Sequence, residues 1–184
     1  SLKKRIRQGR IRLTADRKIK AVITECGRVY RKNQDGTWIV DAMIDAYEGL
    51  HQSGFAHSIE AWDQDRLVGG LYGVCLGKCF FGESMFSLTS DASKIALTGL
   101  VQFLANLNFK LIDCQVSTAH LLSLGAGEIS RQRFLTELKA AMKARTLAGN
   151  WTDRFDQIQA EKLIPTADWP PGPNAERSDS SAGA

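Results

Sequence analysis

The sequence predicts an α+β fold in which an antiparallel meander packs against helices. Three observations lead there. Apolar residues recur at helical spacing over residues 37–50. The period then switches to two over residues 58–62, 67–74 and 79–86, with short polar turns between them. A long and strongly apolar helical segment follows at residues 90–107.

Taken in order, residues 1–11 set Leu2, Ile6 and Ile11 among basic residues and predict a short basic helix. Residues 19–24 fit a strand or a helix, since the period is ambiguous. In residues 37–50, Ile39, Ala42, Met43, Ala46, Tyr47 and Leu50 form one stripe. Asp35 or Thr37 can cap its start, and Gly54 sits beyond its end. Asp63-Gln64-Asp65 and Gly77-Lys78 are the turns of the meander, and short loops imply antiparallel neighbours. In the 90–107 helix, Ser90 and Asp91 are the candidate caps. Ile95, Leu97, Leu100, Val101, Phe103, Leu104 and Leu107 give it an apolar surface broad enough to be buried on most sides. Residues 110–116 read as a buried strand. Ser130 caps a further helix running to Met142, with Arg133 and Glu137 at i,i+4. All four prolines fall after residue 164, and residues 168–184 read as a disordered tail. The expected organisation is a domain over 1–150, a C-terminal extension over 151–167 and the tail over 168–184. Helix, meander, long helix, strand, helix is the layout of a GNAT-like acyltransferase.

A chain of 184 residues suffices for one domain with a core. Its 43% apolar and 24% charged residues are those of a globular protein, and no apolar run approaches the roughly 20 residues a bilayer requires. No secretory signal is visible, so a cytoplasmic location is expected. A first residue other than methionine is what an excised or truncated chain would show. Cys26, Cys75, Cys79 and Cys114 form no CxxC pair and no zinc signature, so reduced, mostly buried thiols are expected, with neither metal nor cofactor. The net charge of +4 is concentrated in Lys3, Lys4, Arg5, Arg7, Arg10 and Arg12, a cluster suited to phosphates but without sequence readout.

Three polar groups interrupt the apolar strands: Glu83 with its neighbours Gly82 and Ser84, the run Asp113-Cys114-Gln115, and His57-Ser58-Ile59-Glu60. Strand alternation puts Asp113 and Gln115 on one face and Cys114 on the other. A carboxylate beside an amide can hold an amine, the first accepting hydrogen bonds and the second offering both a donor and an acceptor. His57 reads as a satisfied, partly buried histidine, His51 as a surface residue, and His120 as a residue within reach of Asp113. GxSxG, HExxH, Walker and GxGxxG motifs are absent. The turn into the 90–107 helix, residues 87–92, has no glycine. It brings Asp91 to the place where an acyl-CoA pyrophosphate would sit, which argues against acyl-CoA.

Several motifs carry a resemblance: GTWI (36–39), GFAHSIE (54–60), LVGGLYGV (67–74), FGESMFS (81–87), ASKIAL (92–97), LIDCQV (111–116) and SLGA (123–126). In order and spacing the chain resembles the leucyl/phenylalanyl-tRNA–protein transferases from its first residues to about Met142. Two departures stand out. The small N-terminal domain of that family, with its tryptophan-rich segment, does not precede these motifs. The family's CEIPR after SLGA is here Gly127-Glu128-Ile129-Ser130-Arg131.

The resemblance implies transfer of Leu or Phe, with Met a weaker donor, from charged tRNA to the α-amine of proteins beginning with Arg or Lys. Such a product is read by the N-degron pathway. It implies Asp113, Gln115 and Glu83 as catalytic residues. It implies Trp38, Leu71, Phe80, Met85, Ser87, Leu97, Leu100 and Leu104 as substrate-binding residues, with Trp38 stacked on the terminal adenosine and the basic segment 3–12 along the acceptor stem. A monomer without membrane contact is expected. A truncated, inactive tRNA-binding fragment and an acyl-CoA-dependent N-acyltransferase are the alternatives.

Overall fold

A computed structural model of the chain describes residues 2, 6, 9–28 and 39–162. The elements follow in the order β1 (Ile11–Ala15), α1 (Ile19–Arg28), α2 (Asp41–Gln52), β2 (Ala56–Asp63), β3 (Arg66–Leu76), β4 (Cys79–Ser87), α3 (Ala92–Asn106), β5 (Leu111–Asp113), α4 (Ala119–Ser123), α5 (Arg131–Ala141) and α6 (Thr152–Lys162). The five strands form one sheet in sequence order. The first four are antiparallel, while β5 runs parallel to β4 with Phe80 opposite Ile112 and Phe81 opposite Asp113. A parallel neighbour needs a crossover, and α3 supplies it.

Period-two strands between helices bury both sheet faces. On one side Leu13, Ile59, Leu71 and Phe80 meet Ile95, Ala96, Leu100, Phe103 and Leu104 of α3, together with Trp151 and Phe155. On the other, Tyr72 and Phe86 meet Val22, Ile23 and Cys26 of α1 and Tyr47 of α2. The domain boundary expected at residue 150 therefore does not mark the edge of the core, because Trp151 and Phe155 are 1% and 0% exposed inside it.

The end of β1 is fixed by Asp16, a buried residue at φ 59°. Its carboxylate accepts from the Ser58 amide at 2.9 Å, the His57 ring at 2.8 Å and the Trp151 amide at 2.8 Å. Nearby, Glu60 of β2 is also buried and accepts from Thr14 Oγ1, from Ser58 Oγ at 2.5 Å and from the Lys18 amide at 3.2 Å. Burial outweighs these donors and raises the Glu60 pKa.

The β3–β4 pairing carries a bulge. Tyr72 opposes Ser84 and the next pair is Gly73 with Gly82, so Glu83 is the extra residue. A regular strand would put Phe80 and Met85 on opposite faces, since they are five apart. The bulge shifts the phase and lets both pack in the α3-side core. Gly73 makes this possible: a Cβ there would lie 2.1 Å from the Phe81 carbonyl oxygen and 2.7 Å from the Phe80 ring.

Several sequence expectations are corrected. Residues 12–15, to which the sequence pattern assigns no element, belong with Ile11 to a strand, Ile11–Ala15, whose partner, β2, begins more than forty residues later. Arg12 lies in that strand with its guanidinium 5.7 Å from the Trp62 ring. The ambiguous segment at 19–24 is helical. The helix expected from Thr37 is α2, starting at Asp41 with Val40 as an N-cap that makes no side-chain bond. Asp35 and Thr37 lie outside the described residues. Asp91 is the N-cap of α3 but makes no capping bond either; its carboxylate pairs with Lys94 at 2.9 Å. Ser130 caps α5 as expected, and Arg133 pairs with Glu137 at 2.7 Å. The strand expected over 110–116 stops at Asp113. The tail at 168–184 lies outside the described residues.

Two measurements check this packing. Gly73→Ala overfills the bulge and lowers stability by about 1–3 kcal/mol in urea unfolding. Glu60 holds its proton in the folded state above the ordinary value of 4.5. Its stabilising contribution is therefore complete below pH 4.5 and is lost as pH rises through the higher folded value. Glu60→Gln, which does not titrate, flattens that fall in a pH series of unfolding free energies.

Candidate active site

A cleft of about 1190 Å³ opens beyond the β5 edge of the sheet. One wall is α3, through Leu97, Val101 and Leu104. The opposite side is the end of α4, the loop after it and α5, through residues 121–129 and Phe134. Leu2 and Ile6 close part of the rim. Asp113, Cys114 and Gln115 lie between the two walls. Lys110 and Arg131 also line the cleft, as do Lys94 and Arg133, which are paired with Asp91 and Glu137.

Gln115 reaches the cleft by a route that strand alternation did not foresee. The strand ends because Asp113 Oδ1 accepts from the Gln115 amide at 2.8 Å, a local turn that competes with the ladder. Gln115 then takes φ 62°. Its Nε2 donates to the Gly82 carbonyl oxygen at 3.0 Å, tying the loop to β4 immediately before the bulge. Asp113 and Gln115 are thus brought together by a turn and a cross-strand bond rather than by the pleat. Among the described residues, Asp113 Oδ2 makes no hydrogen bond.

Glu83, the bulged residue, is half-buried and does not line the cleft. Its carboxylate hydrogen-bonds Tyr47, whose hydroxyl pKa is raised by burial first and by that charge second. The register places Asp113 opposite Phe81, two residues before Glu83. Asp113 and Gln115 therefore adjoin the stretch of β4 that carries Glu83, but the Glu83 carboxylate is bonded to Tyr47 and stays outside the cleft.

The predicted substrate-binding residues separate into groups. Leu97 and Leu104 line the cleft. Leu71, Phe80 and Leu100 are 4%, 1% and 1% exposed and are shared with the core, while Met85 packs against its margin. Ser87 is exposed and serves the start of α3: its Oγ accepts from the Ser93 amide at 3.2 Å and donates to the Thr89 carbonyl at 2.8 Å. Trp38, Lys3, Lys4, Arg5 and Arg7 lie outside the described residues; Arg10 is exposed. His120 is exposed on α4 and does not line the cleft.

The four cysteines are free, three of them buried and Cys114 half-buried. Burial pushes the Cys79 thiol up to about 12, with the Asp113 charge adding to it, and the Cys75 thiol up to about 11. Neither is a nucleophile at neutral pH. What the sequence did not disclose is the segment of residues 121–129, the end of α4 and the loop after it, as a cleft wall. Its one signal was the SLGA motif, which supplies Ser123, Leu124, Gly125 and Ala126 to that wall.

The fold and the sequence can be set beside known proteins. An aminoglycoside acetyltransferase from an uncultured soil metagenomic sample, solved with sisomicin, superposes with a TM-score of 0.50 at 16% identity, covering 63% of this chain and 85% of that one. That likeness establishes the acetyltransferase-type fold. The family model for leucyl/phenylalanyl-tRNA protein transferase matches residues 1–139. A curated leucyl/phenylalanyl-tRNA–protein transferase of Anaeromyxobacter sp. is 54% identical over 151 residues, 82% of this chain and 64% of its own length. That of Desulforapulum autotrophicum is 48% identical over 151 residues, 82% of this chain and 66% of its own length. The chain thus spans about two thirds of the length of these relatives. No helix among the described residues is long and apolar enough to cross a membrane. The match over residues 1–139 and relatives near half identity show that this chain belongs to the leucyl/phenylalanyl-tRNA protein transferase family.

Proposed function

We propose that the chain transfers Leu or Phe, and Met less well, from aminoacyl-tRNA to the α-amine of proteins beginning with Arg or Lys. The observation that carries this reading is the cleft in which an apolar wall of Leu97, Val101 and Leu104 faces the Asp113–Gln115 turn. The aminoacyl side chain sits against the apolar wall. The incoming amine sits at Asp113 Oδ2 and the Gln115 side-chain oxygen.

The chemistry needs positioning more than a strong base. A free α-amine has a pKa near 8, so an appreciable neutral fraction exists at cell pH. Its nitrogen attacks the ester carbonyl, an amide bond forms, and the ester C–O bond to the terminal ribose breaks. Asp113 orients the amine and takes the proton that the departing ribose oxygen finally receives. Glu83, bonded to Tyr47 and outside the cleft, helps fix the reacting groups through its place in β4. Leu71, Phe80 and Leu100 set the floor behind the pocket, and Trp38 stacks on the terminal adenosine. A β-branched side chain meets that wall one methyl too early, a difference of about 1–3 kcal/mol.

The donor is tRNA rather than acyl-CoA because of how α3 begins. Asp91 at φ 66° puts a carboxylate, paired with Lys94, at the helix start that a pyrophosphate would occupy. Lys110 and Arg131 of the cleft and the basic segment 3–12 meet the phosphates of the acceptor stem. The products enter the N-degron pathway, and the setting is a monomer in the cytoplasm.

Transfer of labelled Leu from Leu-tRNA to an Arg-initiated peptide tests the reading. Asp113→Ala lowers the rate about 10²–10⁴-fold with the fold retained by circular dichroism; an unchanged rate removes Asp113 from the site. Replacing Lys3, Lys4, Arg5 and Arg7 with Ala weakens tRNA binding. The slope of log affinity against log salt falls by roughly 0.7–0.9 for each phosphate no longer neutralised.

A further inference from the structure

The cleft that holds Asp113 takes in two other acids, Glu128 and Glu137. Glu137 is engaged by Arg133 at 2.7 Å. Asp113 gives one oxygen to the Gln115 amide and leaves the other for an incoming amine. Glu128 is exposed and has no ion pair or hydrogen bond among the described residues. Glu83, the acid that the β4 pattern offers, points to Tyr47 and lies outside the cleft.

The place of Glu128 follows from α5. The C-terminal end of that helix is tied to the start of β5: the Lys78 amide donates to the Ala141 carbonyl oxygen at 3.0 Å, and the Lys78 carbonyl oxygen accepts from the Lys110 amide at 3.0 Å. From there α5 runs back along the cleft, which it lines at Glu137, Phe134, Arg133 and Arg131. Eleven residues of helix span about 16 Å. The N-terminal end of α5 therefore lies in the direction in which β5 ends, where Asp113 and Gln115 stand. Glu128 comes two residues before its Ser130 cap. Leu121, Leu124, Ile129 and Phe134 give the same wall its apolar surface.

A Lys or Arg at the start of a protein carries two cations, the α-amine and the side-chain head, joined by an apolar stem. Two acids with apolar surface beside them suit such a residue. Glu128 is also out of place without a cation. Lys110 and Arg131 of the cleft suit phosphate, and a bare carboxylate near them repels the same phosphate. A cation brought by the acceptor cancels that repulsion. Lys110 and Arg131, once they face phosphate, no longer repel that cation.

We propose that Glu128 recognises the basic side chain of the acceptor's first residue while Asp113 holds the α-amine of that residue. The inference rests on the function proposed above and names the group that separates a protein beginning with Arg or Lys from one beginning with an apolar residue. Arg, whose guanidinium takes both carboxylate oxygens, is held more firmly than Lys. At an exposed position the charge discriminates by roughly 3–10-fold.

The experiment uses the full chain, with deacylated tRNA present, and two peptides that differ only in beginning with Lys or with norleucine, which keeps the stem and lacks the charge. Binding is measured by calorimetry, and Leu transfer from Leu-tRNA is followed in parallel. Wild type is expected to favour the Lys peptide by roughly 3–10-fold. Glu128→Gln keeps the wild-type circular dichroism and binds the two peptides alike, and in transfer its loss appears in KM rather than in kcat. Asp65→Asn makes the same charge change at the exposed β2–β3 turn and keeps the wild-type preference. Asp113→Ala weakens both peptides equally. An undiminished Lys preference in Glu128→Gln, or equal binding of the two peptides by wild type, overturns the role of Glu128 and leaves the transfer reading standing. Transfer to neither peptide, with the Glu128-dependent preference intact, removes the transfer reading and leaves Glu128 as the acceptor's recognition group.

Discussion

The buried carboxylate of Asp16 is the tie on which the rest of the molecule depends. A charge withdrawn from water is tolerable only when donors surround it, and three converge on this one, from Ser58, His57 and Trp151. They belong to segments separated by as many as 135 positions in the chain. Holding Trp151 there places its indole against Phe103 of α3, with ring centroids 5.2 Å apart. The position of α3 sets Leu97 and Leu104, and these form the apolar wall of the main cleft. A polar contact at the far side of the sheet thus fixes the geometry of the site.

Much of this was legible in the sequence where the pattern is long and local. The apolar stripes of α2 and α3 and the three meander strands each repeat over enough residues to declare their period, and Ser130 announces α5 by its own capping chemistry. Features that depend on distant partners were not legible. β1 is short and includes Arg12 and Thr14, so only its pairing with β2 reveals it. The end of β5 is decided by one side-chain bond from Asp113, which no periodicity reports. Trp151 looked like the start of an extension because its neighbours are polar; its burial comes from Asp16 and His57.

The site shows the same division. Asp113 and Gln115 stood out as polar residues closing an apolar strand, and both reach the cleft. Alternation could not foresee that Gln115 arrives by a positive-φ turn. Nor could it foresee that Glu83 is displaced by a bulge, since that phase shift rests on a close approach at Gly73. Leu71, Phe80 and Leu100 are identical in character to cleft residues, and only burial tells floor from wall. His57 likewise signals nothing until the fold sets its ring against Trp151 and its Nδ1 on Asp16.

The brevity of β5 has its own consequence. The strand forms the outer edge of the sheet, and an open edge ordinarily invites another chain to extend the ladder. Here only Leu111–Asp113 offers backbone groups before the chain turns away and Gln115 bonds back to β4. A polypeptide approaching from outside finds almost no rail to lie along. Its internal peptide groups gain little from that edge, so a chain lying there is held by side chains rather than by a backbone ladder.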